Sequence, residues 1–133
     1  MSTTKVAING FGRIGRTFFR MAVDHPDIEV VAINDLGDIE NLAYLLRYDT
    51  VYGQSGLEVS TEPDSLVVNG ARIAFSQIKD PKTLPWQSLG VDIVLEATGV
   101  FTSYATAKAH LEAGAKRVVI SAPVKDDPTA AAV

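Results

Sequence analysis

The sequence predicts an α/β fold, a doubly wound and mostly parallel sheet with helices on both faces and an inserted β-hairpin. Three observations carry that prediction. Short apolar runs, among them Val6-Ala7-Ile8 and Val30-Val31-Ala32-Ile33, alternate with segments of helical periodicity. The glycines Gly10, Gly12 and Gly15 form a Gly-x-Gly-x-x-Gly run directly after the first apolar run. Asn69-Gly70 separates two further short runs, as a hairpin turn does. Alternation of this kind implies right-handed crossovers between parallel strands.

Each element follows from local pattern. Lys5–Asn9 reads as a buried parallel strand. Arg13–Asp24 reads as a helix, with Ile14, Phe18 and Met21 at i, i+4 and i+7 as its apolar face, and His25-Pro26 ends it. Glu29–Asn34 is a second strand, and its near-continuous apolar centre suits burial on both faces. Asp38 is placed to cap a short helix over Ile39–Leu46. The stretch from Arg47 to Ser65 is the least regular, with one strand expected near Leu57–Ser60. Leu66–Val68 and Ala71–Phe75 are the hairpin strands. Asp80-Pro81 and Leu84-Pro85-Trp86 read as loop, with Trp86 anchoring it to the sheet. Val91–Glu96 is another buried strand. A helix capped by Thr102 or Ser103 runs to about Ala113, with Ala105, Ala109 and Ala113 on one face and Gly114 at its end. Arg117–Ser121 is the last strand. The domain is expected over residues 1–124, with 125–133 as a mobile tail.

The glycine run has a physical reading. Gly10 permits the sharp turn out of the strand, Gly12 lets backbone approach a pyrophosphate, and Gly15 lets the helix pack on the strand. The helix then starts near Arg13, with its free N–H groups and positive dipole end facing the phosphates. Asp35 stands about twenty residues beyond the glycines, at the end of the second strand. A carboxylate there accepts from both adenosine ribose hydroxyls and repels a 2′-phosphate, which favours NAD over NADP. The pattern is that of a Rossmann-type nucleotide-binding domain.

Composition narrows the alternatives. The chain has 133 residues, 47% hydrophobic and 21% charged, enough for one globular domain. A net charge of −4 argues against a dedicated nucleic-acid binder. No apolar run approaches the roughly 18 residues of a membrane span, and Met1–Lys5 lacks a signal-peptide core, so a cytoplasmic location is expected. There is no cysteine, hence no thiol chemistry within these residues. No cluster of metal-ligating side chains stands out. The histidines His25 and His110 read as surface or packing residues.

Five motifs in order carry a resemblance. Ala7-Ile8-Asn9-Gly10-Phe11-Gly12-Arg13-Ile14-Gly15-Arg16, Ala32-Ile33-Asn34-Asp35, Leu46–Gly53, Glu96-Ala97-Thr98-Gly99-Val100-Phe101-Thr102 and Ser121-Ala122-Pro123 resemble the opening of phosphorylating glyceraldehyde-3-phosphate dehydrogenases, over nearly the whole chain. The resemblance implies roles. Phe11 joins the glycine loop, and Arg13 and Ile14 offer backbone N–H groups to the pyrophosphate. Asn9 sits beside the cofactor, Asn34 near the adenosine, and Asp35 holds its ribose. Lys79 stands where arginine is usual, with its carbonyl near the adenine. Thr98 and Gly99 line the cleft, Phe101 flanks the adenine, and Ser121 contacts the nicotinamide-side ribose or a water.

The same resemblance implies what to expect of function. The family oxidises and phosphorylates an aldehyde bearing a phosphate, using a cysteine thiolate and a histidine base that follow the region represented here. It assembles as a homotetramer. These residues are expected to bind NAD but not to catalyse, as a cofactor domain incomplete at its C-terminal side with the catalytic domain absent. An erythrose-4-phosphate dehydrogenase domain and a non-catalytic NAD-binding module are the alternatives left open.

Overall fold

The computed structural model describes residues 3–23, 25–48, 58–79, 83–98 and 104–120. The elements run β1 (Thr4–Asn9), α1 (Arg13–Val23), β2 (Ile28–Asn34), α2 (Ile39–Tyr48), β3 (Val59–Glu62), β4 (Ser65–Val68), β5 (Ala71–Ser76), α3 (Trp86–Leu89), β6 (Ile93–Glu96), α4 (Tyr104–Glu112) and β7 (Arg117–Ile120). The seven strands form one sheet in the order β3-β4-β5-β2-β1-β6-β7. From β5 to β7 all neighbours are parallel, while β3, β4 and β5 meander antiparallel at one edge.

From β1 the chain first crosses to β2 on one side and later to β6 on the other. The order of strands therefore reverses at the carboxyl end of β1, where a crevice opens in sheets of this kind. Opposite faces of the sheet carry separate cores. Ile8 and Ile33 pack with Phe11, Phe19, Leu42, Leu46, Leu66, Val68 and Ile73 beneath α1 and α2. Ala7, Ala32 and Val94 pack with Leu84, Trp86, Val91, Ala113, Ala115 and Val118 beneath α3 and α4. The two sets alternate along the strands, as the two-residue period of a sheet requires.

Capping and turn chemistry agree with the sequence. Asp38 Oδ2 accepts the Asn41 N–H at the start of α2. Asn69 and Gly70 have φ of 52° and 85°, the left-handed pair of a type I′ turn. Three expectations need correction. The apolar face of α1 is not Ile14–Phe18–Met21: Ile14 and Met21 are exposed, and Gly15, Phe19 and Ala22 are buried. The helix lies close to the sheet at Gly15, so that Gly15, Phe19 and Ala22 sit innermost, while Phe18 of the expected face and Val23 pack half-buried against the same core. The strand expected at Leu57–Ser60 is Val59–Glu62, set by pairing with β4 rather than by its own pattern. Leu84-Pro85-Trp86 is not all loop, because Trp86 opens the single turn α3. Trp86 is fully buried, as its anchoring role requires. Asp80-Pro81, Thr102, Ser103 and the tail 125–133 lie outside the described residues.

Candidate functional site

The carboxyl ends of β2, β1 and β6 enclose a cleft of about 380 Å³. Asn9, Gly10 and Gly12 line it from β1 and its loop, Asn34, Asp35 and Leu36 from β2, Ile78 and Lys79 from the loop after β5, and Ala97 and Thr98 from the loop after β6. Seven of these are residues singled out from sequence. Leu36, exposed and apolar, Ile78 and Ala97 are additions.

The glycines shape the cleft. Gly10 has φ +97°, and a Cβ there would lie 2.6 Å from the Thr98 nitrogen. A Cβ on Gly15 would lie 2.3 Å from the Gly10 carbonyl oxygen, so α1 sits directly on the turn. Gly12 is the opposite case: nothing lies within 4 Å of where its Cβ would be, and it faces the open cleft. Arg13 and Ile14, in the first turn of α1, carry backbone N–H groups of the kind a helix leaves without intrahelical partners. The Phe11 side chain turns away from the cleft and packs edge-on against Phe19, with centroids 5.8 Å apart. The Arg16 guanidinium donates to the Phe11 carbonyl at 3.1 Å, bracing the loop rather than pointing at the cleft.

Asp35 ties the loop to β2. Its Oδ2 accepts the Phe11 N–H at 2.6 Å and its Oδ1 accepts the Gly37 N–H at 2.7 Å. A carboxylate has about four lone-pair sites, so acceptor capacity remains on the cleft side.

A polar row crosses the sheet just under the cleft. Ser76, Asn34, Asn9 and Glu96 are the last residues of β5, β2, β1 and β6, and they stand opposite one another in register. Ser76 Oγ donates to Asn34 Oδ1 at 2.7 Å, Asn34 Nδ2 to Asn9 Oδ1 at 2.8 Å, and Asn9 Nδ2 to Glu96 Oε1 at 2.7 Å. His110, fully buried on α4, lies with Nε2 2.6 Å from Glu96 Oε1. Its Nδ1 accepts from the Trp86 indole N–H at 3.0 Å. Sequence reasoning passed over Glu96 and took His110 for a surface or packing residue. His110 is indeed packed, but within this network. The available signal was an acidic residue closing an otherwise apolar strand.

Gly99, Phe101 and Ser121 lie outside the described residues. Among the described residues no group of three or more His, Cys, Asp and Glu side chains is placed to hold a metal ion. No described helix is long and apolar enough to cross a membrane.

Comparison with known proteins agrees with this geometry. Residues 4–104 match the family model described as the glyceraldehyde 3-phosphate dehydrogenase NAD-binding domain. The chain is 57% identical over 123 residues to a glyceraldehyde-3-phosphate dehydrogenase of Geobacillus stearothermophilus, covering 92% of this chain and 37% of the relative. It is 50% identical over 129 residues to that of Colletotrichum lindemuthianum, covering 96% and 38%. It is 51% identical over 126 residues to that of Streptomyces coelicolor, covering 94% and 38%. The chain thus spans little more than a third of the length of these relatives.

Proposed function

The chain belongs to the family of glyceraldehyde 3-phosphate dehydrogenase NAD-binding domains, and from that premise we propose that its cleft seats NAD with Asp35 on the adenosine ribose. One observation carries the assignment: the Asp35 carboxylate and the unobstructed Gly12 backbone face the same cleft. The residues present fit the cofactor. A carboxylate matches a diol, a glycine without neighbours leaves room for a pyrophosphate, and a helix start offers N–H groups to its charge.

In this reading Arg13 and Ile14 hold the pyrophosphate through backbone N–H groups. Leu36 and Lys79 flank the adenine, and Asn34 supports its end of the cleft. Asn9 and Thr98 face the other half of the cofactor. Gly99, Phe101 and Ser121 keep the roles that the resemblance gives them. When bound, NAD supplies a hydride acceptor. The residues of this chain bind and orient it.

We assign the chemistry of the full-length enzyme, phosphorylating oxidation of an aldehyde that itself carries a phosphate, to residues beyond these. The 133 residues contain no cysteine, so they cannot furnish the thiolate that such chemistry needs. Homotetramer assembly and a cytoplasmic location belong to the same proposal and rest on family likeness.

Two assays test the reading. The chain with NAD, glyceraldehyde 3-phosphate and phosphate is expected to form no NADH by absorbance, while ADP-ribose binds with an affinity close to that of NAD. NADH formation by these residues alone, or tighter binding of nicotinamide mononucleotide than of ADP-ribose, would overturn it.

A further inference from the structure

We propose that Glu96 is a positioning residue of the cleft, a buried carboxylate on which hydrogen bonds converge from both directions along the polar row, fixing Asn9 and Thr98 at the cleft floor.

Direction is set at one end by the backbone of Ile78. Its N–H donates to Asn34 Oδ1 at 2.8 Å and its carbonyl accepts from Asn34 Nδ2 at 2.9 Å. A peptide N–H cannot become an acceptor, so the Asn34 amide has only one allowed orientation. Asn34 Nδ2 then faces Asn9 Oδ1, and Asn9 is left to present its Nδ2 as a donor to Glu96.

At the other end the indole of Trp86 sets direction. Indole N–H is a donor only, so His110 Nδ1 is the acceptor and carries no proton. The remaining proton of a neutral imidazole is then on Nε2, donated to Glu96 Oε1. The short His110–Glu96 contact is therefore a hydrogen bond from a neutral ring, not an ion pair. Asn9 Nδ2 and His110 Nε2, 3.5 Å apart, are two donors that share one acceptor rather than partners of each other.

The second oxygen is also met by donors. Glu96 Oε2 accepts the Thr98 backbone N–H at 3.1 Å and the Thr98 hydroxyl at 2.6 Å. Three donors that cannot reverse, Asn9 Nδ2, His110 Nε2–H and the Thr98 N–H, thus converge on Glu96, which is 1% exposed. Its grip on Thr98 matters to the cleft because the Thr98 backbone is what closes against Gly10. Its grip on Asn9 reaches the residue that precedes the glycine turn.

The effect on NAD rests on the cofactor reading above; the protonation pattern does not. Two measurements test the proposal. In the parent chain, nitrogen-15 imidazole spectra are expected to show His110 protonated at Nε2 and bare at Nδ1. A proton on Nδ1, or on both nitrogens near neutral pH, overturns the convergence. The isosteric Glu96→Gln variant must turn its own NH2 toward either the Thr98 N–H or the Asn9 and His110 donors. It is expected to stay folded by circular dichroism while NAD affinity falls roughly tenfold to a hundredfold, the cost of an unsatisfied buried donor. A folded variant that binds NAD as the parent does overturns the positioning role. If the parent itself binds no NAD, the cofactor reading fails separately. Positioning is then read from the Thr98 amide and Asn9 side-chain amide resonances, which shift in the variant if Glu96 holds them and stay if it does not. If the variant does not fold, the His110 spectrum of the parent decides.

Discussion

Asp35 accepts hydrogen bonds from the Phe11 and Gly37 backbones, so removing it acts on the cleft twice. Asp35→Ala is expected to weaken NAD by roughly tenfold to a hundredfold, the scale of one hydrogen bond to a charged group, while NADP affinity changes far less. Paired titrations check this, and equal loss for both cofactors would deny Asp35 its selecting role. The glycines separate binding from folding. Gly12→Ala adds a methyl where nothing lies within 4 Å; stability should stay within about 0.5 kcal/mol of the parent while NAD binding falls. Gly15→Ala drives a methyl into the Gly10 carbonyl and should cost a large part of the fold's stability, as denaturant midpoints would show. Asp35 and the three glycines were legible in sequence because their spacing is local and fixed by one turn. Glu96 and His110 were not. Their partners Asn9 and Trp86 lie far away in the chain, and only the stacking of strand ends brings them together.

For elements, α1 offers the sharpest contrast. Two apolar stripes overlap on it, and periodicity chose the one with the bulkier residues, Ile14 and Met21. Tertiary packing chose Gly15, Phe19 and Ala22, because a helix seated against a glycine turn admits little bulk beneath it. Phe19→Ala should therefore cost about 3–5 kcal/mol, and Met21→Ser should stay within about 0.5 kcal/mol. The reverse ranking in chemical unfolding would restore the sequence-based face. The hairpin was legible from Asn69-Gly70 alone, since few other pairs accept two positive φ values in succession. The turn α3 was not, because four residues carry no period. Their helical turn is fixed by Trp86 reaching His110, not by local propensity.

Across the whole molecule, the β-α alternation foretold the parallel sheet, while the place of each strand within it came only from the structure. Asp92 joins three parallel strands at the edge opposite the cleft. Its Oδ2 accepts the Lys5 N–H at 3.0 Å, and its Oδ1 pairs with Lys116 Nζ at 3.1 Å. The Lys5 backbone hydrogen bond, then the Lys116 side chain, hold the carboxyl below its ordinary value of 3.8. A lowered folded-state value stabilises above the unfolded value, and that contribution is lost as pH falls through the folded one. The parent should thus lose stability relative to Asp92→Asn once pH drops below about 3.8, in acid unfolding series of the two chains. We propose above all that the carboxyl edge of the sheet, the one away from Asp92, forms an NAD site selected by Asp35. Calorimetric titration of the chain with NAD, and separately with NADP, tests it most directly. Saturable binding of NAD, clearly tighter than NADP, is the predicted result; a folded chain that binds neither, or both alike, would contradict it.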